Sequence, residues 1–314
     1  MDVIDRFNIN RPRPRSVVTI GNFDGFHLGH QALVRKVVEE AQQSGCRKAL
    51  LTFDPHPQEI VHPGRPVYRI CTSIQRLSLF EQATLDEVHI LPFTHELSKL
   101  EAEEFAYRFL IQRFQLEKLV IGYDFRFGKH RKGDFKTLEE LGYRHGFEVE
   151  EVAPIKVDQQ TVSSTHIRQL IQGHQFEALP EFLGRSYSIL GMVEQGDQRG
   201  RQLGFPTANL RPGVPLALPR GVYVSRLSVQ GQECHGVTNV GVRPTFGQNE
   251  AAVETWIFNF SRDLYGEPME VWPLRFLRPE QCFSGVDELK QQISKDIQAA
   301  ERFFNAEPSL SSAT

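Results

Sequence analysis

Two histidines three residues apart, His27 and His30, stand in the segment GNFDGFHLGH that runs from Gly21 to His30. Residues at that spacing share one face of a helical turn. Glycines beside a helix start leave backbone N–H groups turned toward an anion. Two imidazoles placed there can donate to phosphate oxygens as charge builds on a group in transfer. A glycine turn with two surface histidines would carry the same letters. A second segment, VSSTHIR from Val162 to Arg168, puts Ser164, Thr165 and Arg168 at the start of a predicted helix. Hydroxyls, a cap and a guanidinium can meet one anion there, and a plain helix cap followed by a surface arginine reads alike. The third, GYDFRFGKHRKGD from Gly122 to Asp134, gathers Arg126, Lys129, Arg131 and Lys132 beside the flat rings of Phe125 and Phe127. Together these give donors and cations without an obvious carboxylate dyad. That set suits nucleotidyl transfer onto an acceptor that is already an anion, a reaction that needs positioning and charge stabilisation but no general base.

A different chemistry is written further along. GDQRGRQLGFPTAN, from Gly196 to Asn209, has glycines at Gly196, Gly200 and Gly204 with Arg199 and Arg201 between them. It is not a GxxxxGK[ST] loop, yet a glycine-rich, arginine-bearing flap can cover phosphates. Thr207 and Asn209, on alternate residues, share one face of an extended segment. Their hard oxygens suit magnesium held together with ATP phosphates, and an ordinary hairpin loop would also fit. Glu254, in VETWIFNF, shares its face by alternation with Trp256, Phe258 and Phe260. A carboxylate there can take the proton of an attacking hydroxyl or stand in solvent on an edge strand. Arg243, in NVGVRPTF, reads as a substrate contact or a loop anchor.

The elements that must position these residues fall into two styles. Up to about residue 152, short apolar runs alternate with helical patterns. Strands are predicted over 16–20, 48–53, 87–91, 118–121 and 147–152. Helices are predicted over 30–44, closed by Gly45, and over 73–83, 101–114 and 135–145. This alternation predicts a parallel sheet covered on both faces, with ligands beyond the carboxyl ends of its strands. A helical stretch over 164–183 leads to a change near Gly184. Short extended runs then follow between Gly and Pro, the pattern of a small antiparallel barrel or sandwich. A helix over about 286–304 closes the chain, and the tail PSLSSAT is expected to be disordered.

The 314 residues suit two domains, taken as 1–184 and 185–314. The net charge of -3 argues against a general polyanion binder such as a nucleic-acid protein. No apolar run is long enough for a membrane span, and no signal segment opens the chain. Four widely spaced cysteines, Cys46, Cys71, Cys234 and Cys282, form neither a metal pair nor a disulfide framework. A cytoplasmic enzyme acting on small molecules is the expectation.

The segments GNFDGFHLGH, LTFDPHP, GYDFRFGKHRKGD and SSTHIR resemble the FAD synthetase half of the bacterial bifunctional riboflavin kinase/FAD synthetase family. GDQRGRQLGFPTAN, NVGVRPTF, VETWIFNFSRDLYG and LRFLRPEQCF resemble its riboflavin kinase half, in the family's order and over nearly the whole chain. The resemblance implies a Rossmann-like nucleotidyltransferase domain followed by a small Greek-key barrel with a closing helix. It implies phosphorylation of riboflavin by ATP to FMN, then adenylylation of FMN by a second ATP to FAD and pyrophosphate. By the same carry-over, Glu254 is the base of the kinase half, and Thr207 and Asn209 bind magnesium. Gly196, Arg199, Gly200, Arg201, Gly204 and Pro206 handle its nucleotide phosphates. In the other half His27, His30 and Arg168 act in catalysis. Gly21, Phe23, Asp24, Gly25, Gly29, Ser164 and Thr165 bind nucleotide, and Phe53, Asp124 and Phe127 are flavin-side positions. Four residues depart from the family pattern: His166 stands where arginine or a small residue is frequent, Asp124 where some members have asparagine, and Trp256 and Asn259 where histidine and aspartate are commoner. The competing readings are one active half beside a degenerate one, a different nucleotidyltransferase, and a non-catalytic flavin binder; HxGH together with Glu254 counts against the last.

Overall fold

The computed structural model describes residues 1–4, 14–196, 205–242, 251–260 and 262–306. The chain divides into two compact units, Met1–Val67 with Arg76–Ser164, and Tyr68–Gln75 with Thr165–Thr314.

The first unit is built on one six-stranded sheet. Its strands are β1 (Asp2–Ile4), β2 (Ser16–Ile20), β3 (Arg47–Asp54), β4 (Glu87–Pro92), β5 (Leu116–Gly122) and β6 (Glu148–Val152), in the order β1-β4-β3-β2-β5-β6. Every pairing is parallel. All five residues of β2 are buried, as a central parallel strand covered on both faces requires. Alternation sends Val18 and Ile20 to one core with Leu51, Phe105 and Ile121, and Val17 to the other with Val34, Leu50 and Val120. From β2 the chain steps outward to β3 and β4, then returns to β5 on the opposite side of β2. The carboxyl ends of β2 and β5 therefore flank the point where strand order reverses, the place where open α/β sheets bind ligands.

The helix Leu28–Ser44 ends at Gly45 in the left-handed region (φ 67°), and Phe135–His145 is capped by Asp134 at its start and Gly146 at its end. The helix expected over 101–114 is instead Ala102–Ala106, a wide π turn at Tyr107–Ile111, and Gln112–Phe114. Its buried residues are Phe105, Ala106, Leu110, Arg113 and Phe114. Two elements carried no legible signal: β1, which adds parallel to β4 at the sheet edge, and a small hairpin of β7 (Lys156–Val157) and β8 (Gln160–Thr161).

In the second unit, β9 (Ile189–Glu194), β10 (Thr207–Leu210), β11 (Gly221–Val229), β12 (Gln232–Val242), β13 (Ala251–Ile257) and β14 (Pro268–Arg278) close into a barrel ordered β10-β13-β12-β11-β14-β9. All its pairings are antiparallel. Pro273, which lacks an N–H, is accommodated in β14 by a register shift opposite Val224 and Ser225. Val253, Thr255 and Ile257 point inward, where the Thr255 and Thr238 hydroxyls meet at 2.9 Å. The closing helix Val286–Ala306 is tied to the end of β14 by Arg278, whose guanidinium donates to both carboxylate oxygens of the buried Asp296 at 2.8–3.1 Å. The stretch expected to be helical over 164–183 breaks into Ser164–Gln172, a 3-10 turn at Phe176–Ala178, and Leu179–Leu183. His174, at φ 56°, stands in the break. The four cysteines are free thiols. Among the described residues no helix is long and apolar enough to cross a membrane.

Candidate active sites

In the first unit the segment after β2 is an over-determined loop. Phe23 (φ 50°) and Phe26 (φ 41°) hold left-handed conformations on either side of Gly25 (φ 83°). Such conformations are costly for bulky residues and cluster where chemistry fixes geometry. The compensation is visible in the packing: Phe23 and Asp24 are buried, and Phe23 meets Phe80 edge-on at 6.0 Å. Thr52 and the buried Arg76 both donate to the carbonyl of Asn22, and Arg76 also donates to that of Phe53 at 3.2 Å. The Ser164 hydroxyl donates to the Asp24 carbonyl at 3.1 Å.

His27 is not inside the helix but caps it. Its Nδ1 accepts the His30 N–H at 3.3 Å, and the two rings stack with centroids 3.6 Å apart. With Nδ1 committed as acceptor, the proton of the neutral ring lies on Nε2, so any donation to a ligand comes from that atom. Gly29 permits this arrangement, because a Cβ there would come within 3.1 Å of the His27 ring. The first turn of the helix carries no acidic residue, which suits an anion at its positive end. Gly21 begins the loop, and a Cβ on it would press on the Phe23 ring at 3.3 Å.

The basic segment after β5 is a pinned loop. Phe127 and Gly133 exchange both backbone hydrogen bonds, at 3.1 and 3.0 Å. Arg126, His130, Arg131 and Lys132 are exposed, and Lys129 pairs with Glu101 at 3.0 Å. Asp124 is exposed in the turn that leaves β5. Phe53 and Phe127, each only 7% exposed, belong to the core cluster that includes Phe105. A Cβ on Gly133 would lie 2.6 Å from the Phe127 ring and 2.7 Å from Ala102 Cβ. Gly133→Ala is accordingly expected to lower stability by about 1–3 kcal/mol, the usual consequence of overpacking. An unchanged thermal midpoint would contradict this reading of the loop.

Thr165, His166 and Arg168 belong to the second unit along with most of their helix. There the Arg168 Nε donates to the carbonyl of Tyr68 at 2.7 Å, and His166 meets Phe182 edge-on.

On the barrel, the register builds the second site. β13 is an interior strand between β10 and β12, which removes the edge-strand reading of Glu254. Asn209 pairs directly with Glu254, and Glu254 pairs directly with Asn239. Facing residues on neighbouring strands share a side with Cβ atoms about 4.5–5.5 Å apart. A carboxylate is thus flanked in one row by two carboxamides. The next row holds Thr207, Trp256 and Val237. Val253 and Thr255 are fully buried while Glu254 and Trp256 are half-buried, so this row lies on the outer face. The Asn209 Nδ2 donates to the Thr207 carbonyl at 3.3 Å, which turns its oxygen the other way. The backbone of Gly196 packs on this amide so closely that a Cβ would overlap it at 2.5 Å. Pro206 is exposed just before β10. Phe258 and Phe260 lie beyond the end of β13, and Phe258 keeps ring contact with Trp256 at 4.9 Å. Arg199, Gly200, Arg201, Gly204, Arg243 and the C-terminal tail lie outside the described residues. Among the described residues no group of three His, Cys, Asp or Glu side chains is assembled for a metal. A cation here would rely on Thr and Asn oxygens with substrate phosphates, the usual habit of magnesium.

Asn239 and Arg76 were not singled out by sequence. Asparagine is disfavoured in strand centres, which is a signal at Asn239, while Arg76 in the helix Ser73–Gln82 carries none. Their partners appear only with the register and the loop.

Known proteins match the chain along its length. The FAD synthetase family model matches residues 9–166 and the riboflavin kinase model residues 183–304. A bifunctional riboflavin kinase/FMN adenylyltransferase from Pseudomonas fluorescens is 38% identical over 301 residues, 92% of this chain and 94% of its own. The protein of the same name from Escherichia coli strain K12 is 33% identical, covering 93% and 94%. A crystal structure described as a macrolide-efflux protein from Streptococcus pneumoniae is 31% identical, with a TM-score of 0.75 and coverage of 95% of this chain and 98% of that one.

Proposed function

This chain belongs to the bifunctional riboflavin kinase/FMN adenylyltransferase family, and on that premise we propose how its residues divide the work. The C-terminal half phosphorylates riboflavin with ATP to give FMN and ADP. The N-terminal half adenylylates FMN with a second ATP to give FAD and pyrophosphate. The functional halves are 1–184 and 185–314, so the helix Ser164–Gln172 serves adenylyl transfer although most of it packs within the second unit. The enzyme works in the cytoplasm on these small molecules.

One observation carries the kinase reading: Asn209 and Glu254 are direct cross-strand partners. That pairing sets the group that would take the proton beside the oxygens that would hold the metal. Glu254 accepts the proton of the terminal ribityl hydroxyl as its oxygen attacks the γ-phosphorus of ATP, and ADP departs. Thr207 and Asn209 hold magnesium, which when bound neutralises charge on the phosphates. Gly196 keeps the Asn209 amide in place. In the N-terminal half a phosphate oxygen of FMN attacks the α-phosphorus of ATP and pyrophosphate leaves. The acceptor is already an anion, so no base is required. His27 through Nε2, His30 and the positive end of the helix stabilise the spreading charge. Ser164 holds the loop that carries them, and Arg168 and Thr165 serve the nucleotide.

Asn209→Ala tests the metal and phosphate side. It is expected to raise the magnesium and ATP concentrations needed for half-maximal riboflavin phosphorylation by about tenfold or more, the worth of one charge-assisted contact. Unchanged dependence on both, measured by steady-state kinetics at varied magnesium, would remove Asn209 from the metal site.

A further inference from the structure

The kinase row does not end at Asn239. Two residues further along β12 is Gly241, paired with Ala252 on β13. The carboxylate of Glu280, which follows β14, occupies the place a side chain on Gly241 would fill: its Oε1 overlaps the position of a Cβ there, and its Cδ lies 3.3 Å away. The Asn239 Nδ2 approaches the same point at 3.6 Å. Glu280 is nevertheless exposed. A second carboxylate, seated over a glycine and beside a carboxamide, thus borders the outer face that carries Glu254.

Direction then matters. In phosphoryl transfer the attacking and leaving oxygens lie on opposite sides of the phosphorus. If the phosphates lie over Thr207 and Asn209 on β10, the acceptor must extend from Glu254 away from β10, toward β12. That is where Asn239 and Glu280 are. Small residues at Gly241 and Ala252 leave room for a chain between them. Carboxylate and carboxamide oxygens are the natural acceptors for a row of hydroxyls.

Resting on the kinase reading above, we propose that Glu280, with Asn239, is a specificity-determining polyol subsite that hydrogen-bonds the internal hydroxyls of the acceptor's ribityl chain. A site built to bond a hydroxyl rejects an analogue lacking it far more strongly than an apolar pocket rejects a misfit. The effect of Glu280 must therefore depend on whether those hydroxyls are present.

The test is a cycle of two enzymes and two substrates. Full-length wild type and Glu280→Ala are compared on riboflavin and on a flavin whose side chain is an unbranched hydroxypentyl group, which keeps only the terminal hydroxyl. Glu280→Ala is expected to lower kcat/KM for riboflavin by about 10- to 100-fold, the range for a hydrogen bond to a charged group, and to leave the analogue's value unchanged. The KM for ATP stays constant. Glu280→Gln, which retains one acceptor oxygen, recovers part of the loss on riboflavin and covers the case in which the alanine variant folds poorly. Gly241→Ala, which pushes the carboxylate from its seat without removing it, reproduces the same dependence on substrate. Equal losses on both substrates, or no loss on riboflavin, would overturn the subsite. Retention of phosphorylation by Glu254→Gln would instead sink the kinase reading beneath it, and the two failures are distinguishable.

Discussion

Glu254→Gln is expected to slow riboflavin phosphorylation by about 100- to 10,000-fold, the usual contribution of a positioned general base. The substitution keeps the shape and much of the hydrogen bonding of the side chain, so its effect isolates proton acceptance. Glu254 is half-buried on an interior strand between two carboxamides in register. A carboxylate so placed, on a strand whose inward face is apolar apart from Thr255, is kept for a task rather than for the stability of the barrel. Adenylylation of supplied FMN should continue, because His27 and His30 lie in the other unit and Arg168 stands on a helix outside the barrel strands. Loss of both activities would mean that the variant disturbs folding, and full retention of phosphorylation would remove Glu254 from the reaction.

His27→Ala is expected to lower adenylylation by about 100-fold or more, the typical effect of removing one preorganised donor at a site of developing charge. The structure adds a complication, because His27 is also the N-cap of the helix Leu28–Ser44. Loss of a cap alone lowers stability by about 1 kcal/mol. His27→Asn separates the two roles, since asparagine caps well but has no imidazole. The expected result is a preserved melting temperature with adenylylation as slow as in the alanine variant. Recovery of the rate in the asparagine variant would assign His27 to the cap and not to the chemistry.

The sequence was most legible where local pattern and tertiary packing agree. The β-branched run of β2 and the Gly45 stop of the first long helix appear close to where periodicity and cap chemistry place them. The alternation of strands and helices gave way near Gly184 to a barrel, one of the two forms, barrel or sandwich, that the pattern allowed. Legibility failed where distant partners decide. Nothing local in Asp2–Ile4 announces an edge strand, because its reason is the exposed edge of β4. The pattern over 101–114 predicted one helix, and nothing local in it announces the π turn at Tyr107–Ile111.

The segment Tyr68–Gln75 belongs to the unit formed mainly after residue 164. In it the Thr72 hydroxyl donates to the Leu190 carbonyl at 2.6 Å, and the Gln75 amide donates to the Ser188 hydroxyl at 2.8 Å. Single hydrogen bonds across more than a hundred residues leave no periodic trace. The same limit applies at the sites. Spacing brought out His27 and His30 but not the cap that fixes the tautomer of His27. It brought out Thr207, Asn209 and Glu254 but not Asn239 or Glu280, whose places follow from strand register and from the room over Gly241. Phe125 and Phe127 read as flat ring surfaces in sequence, and Phe127 proves to be buried in the core together with Phe53.

The most direct test of the account is a time course of the purified chain with riboflavin, ATP and magnesium, with the flavins resolved by chromatography. The account predicts that FMN rises first and FAD follows as FMN is consumed. FMN accumulating without FAD, or no conversion of either riboflavin or supplied FMN, would contradict it.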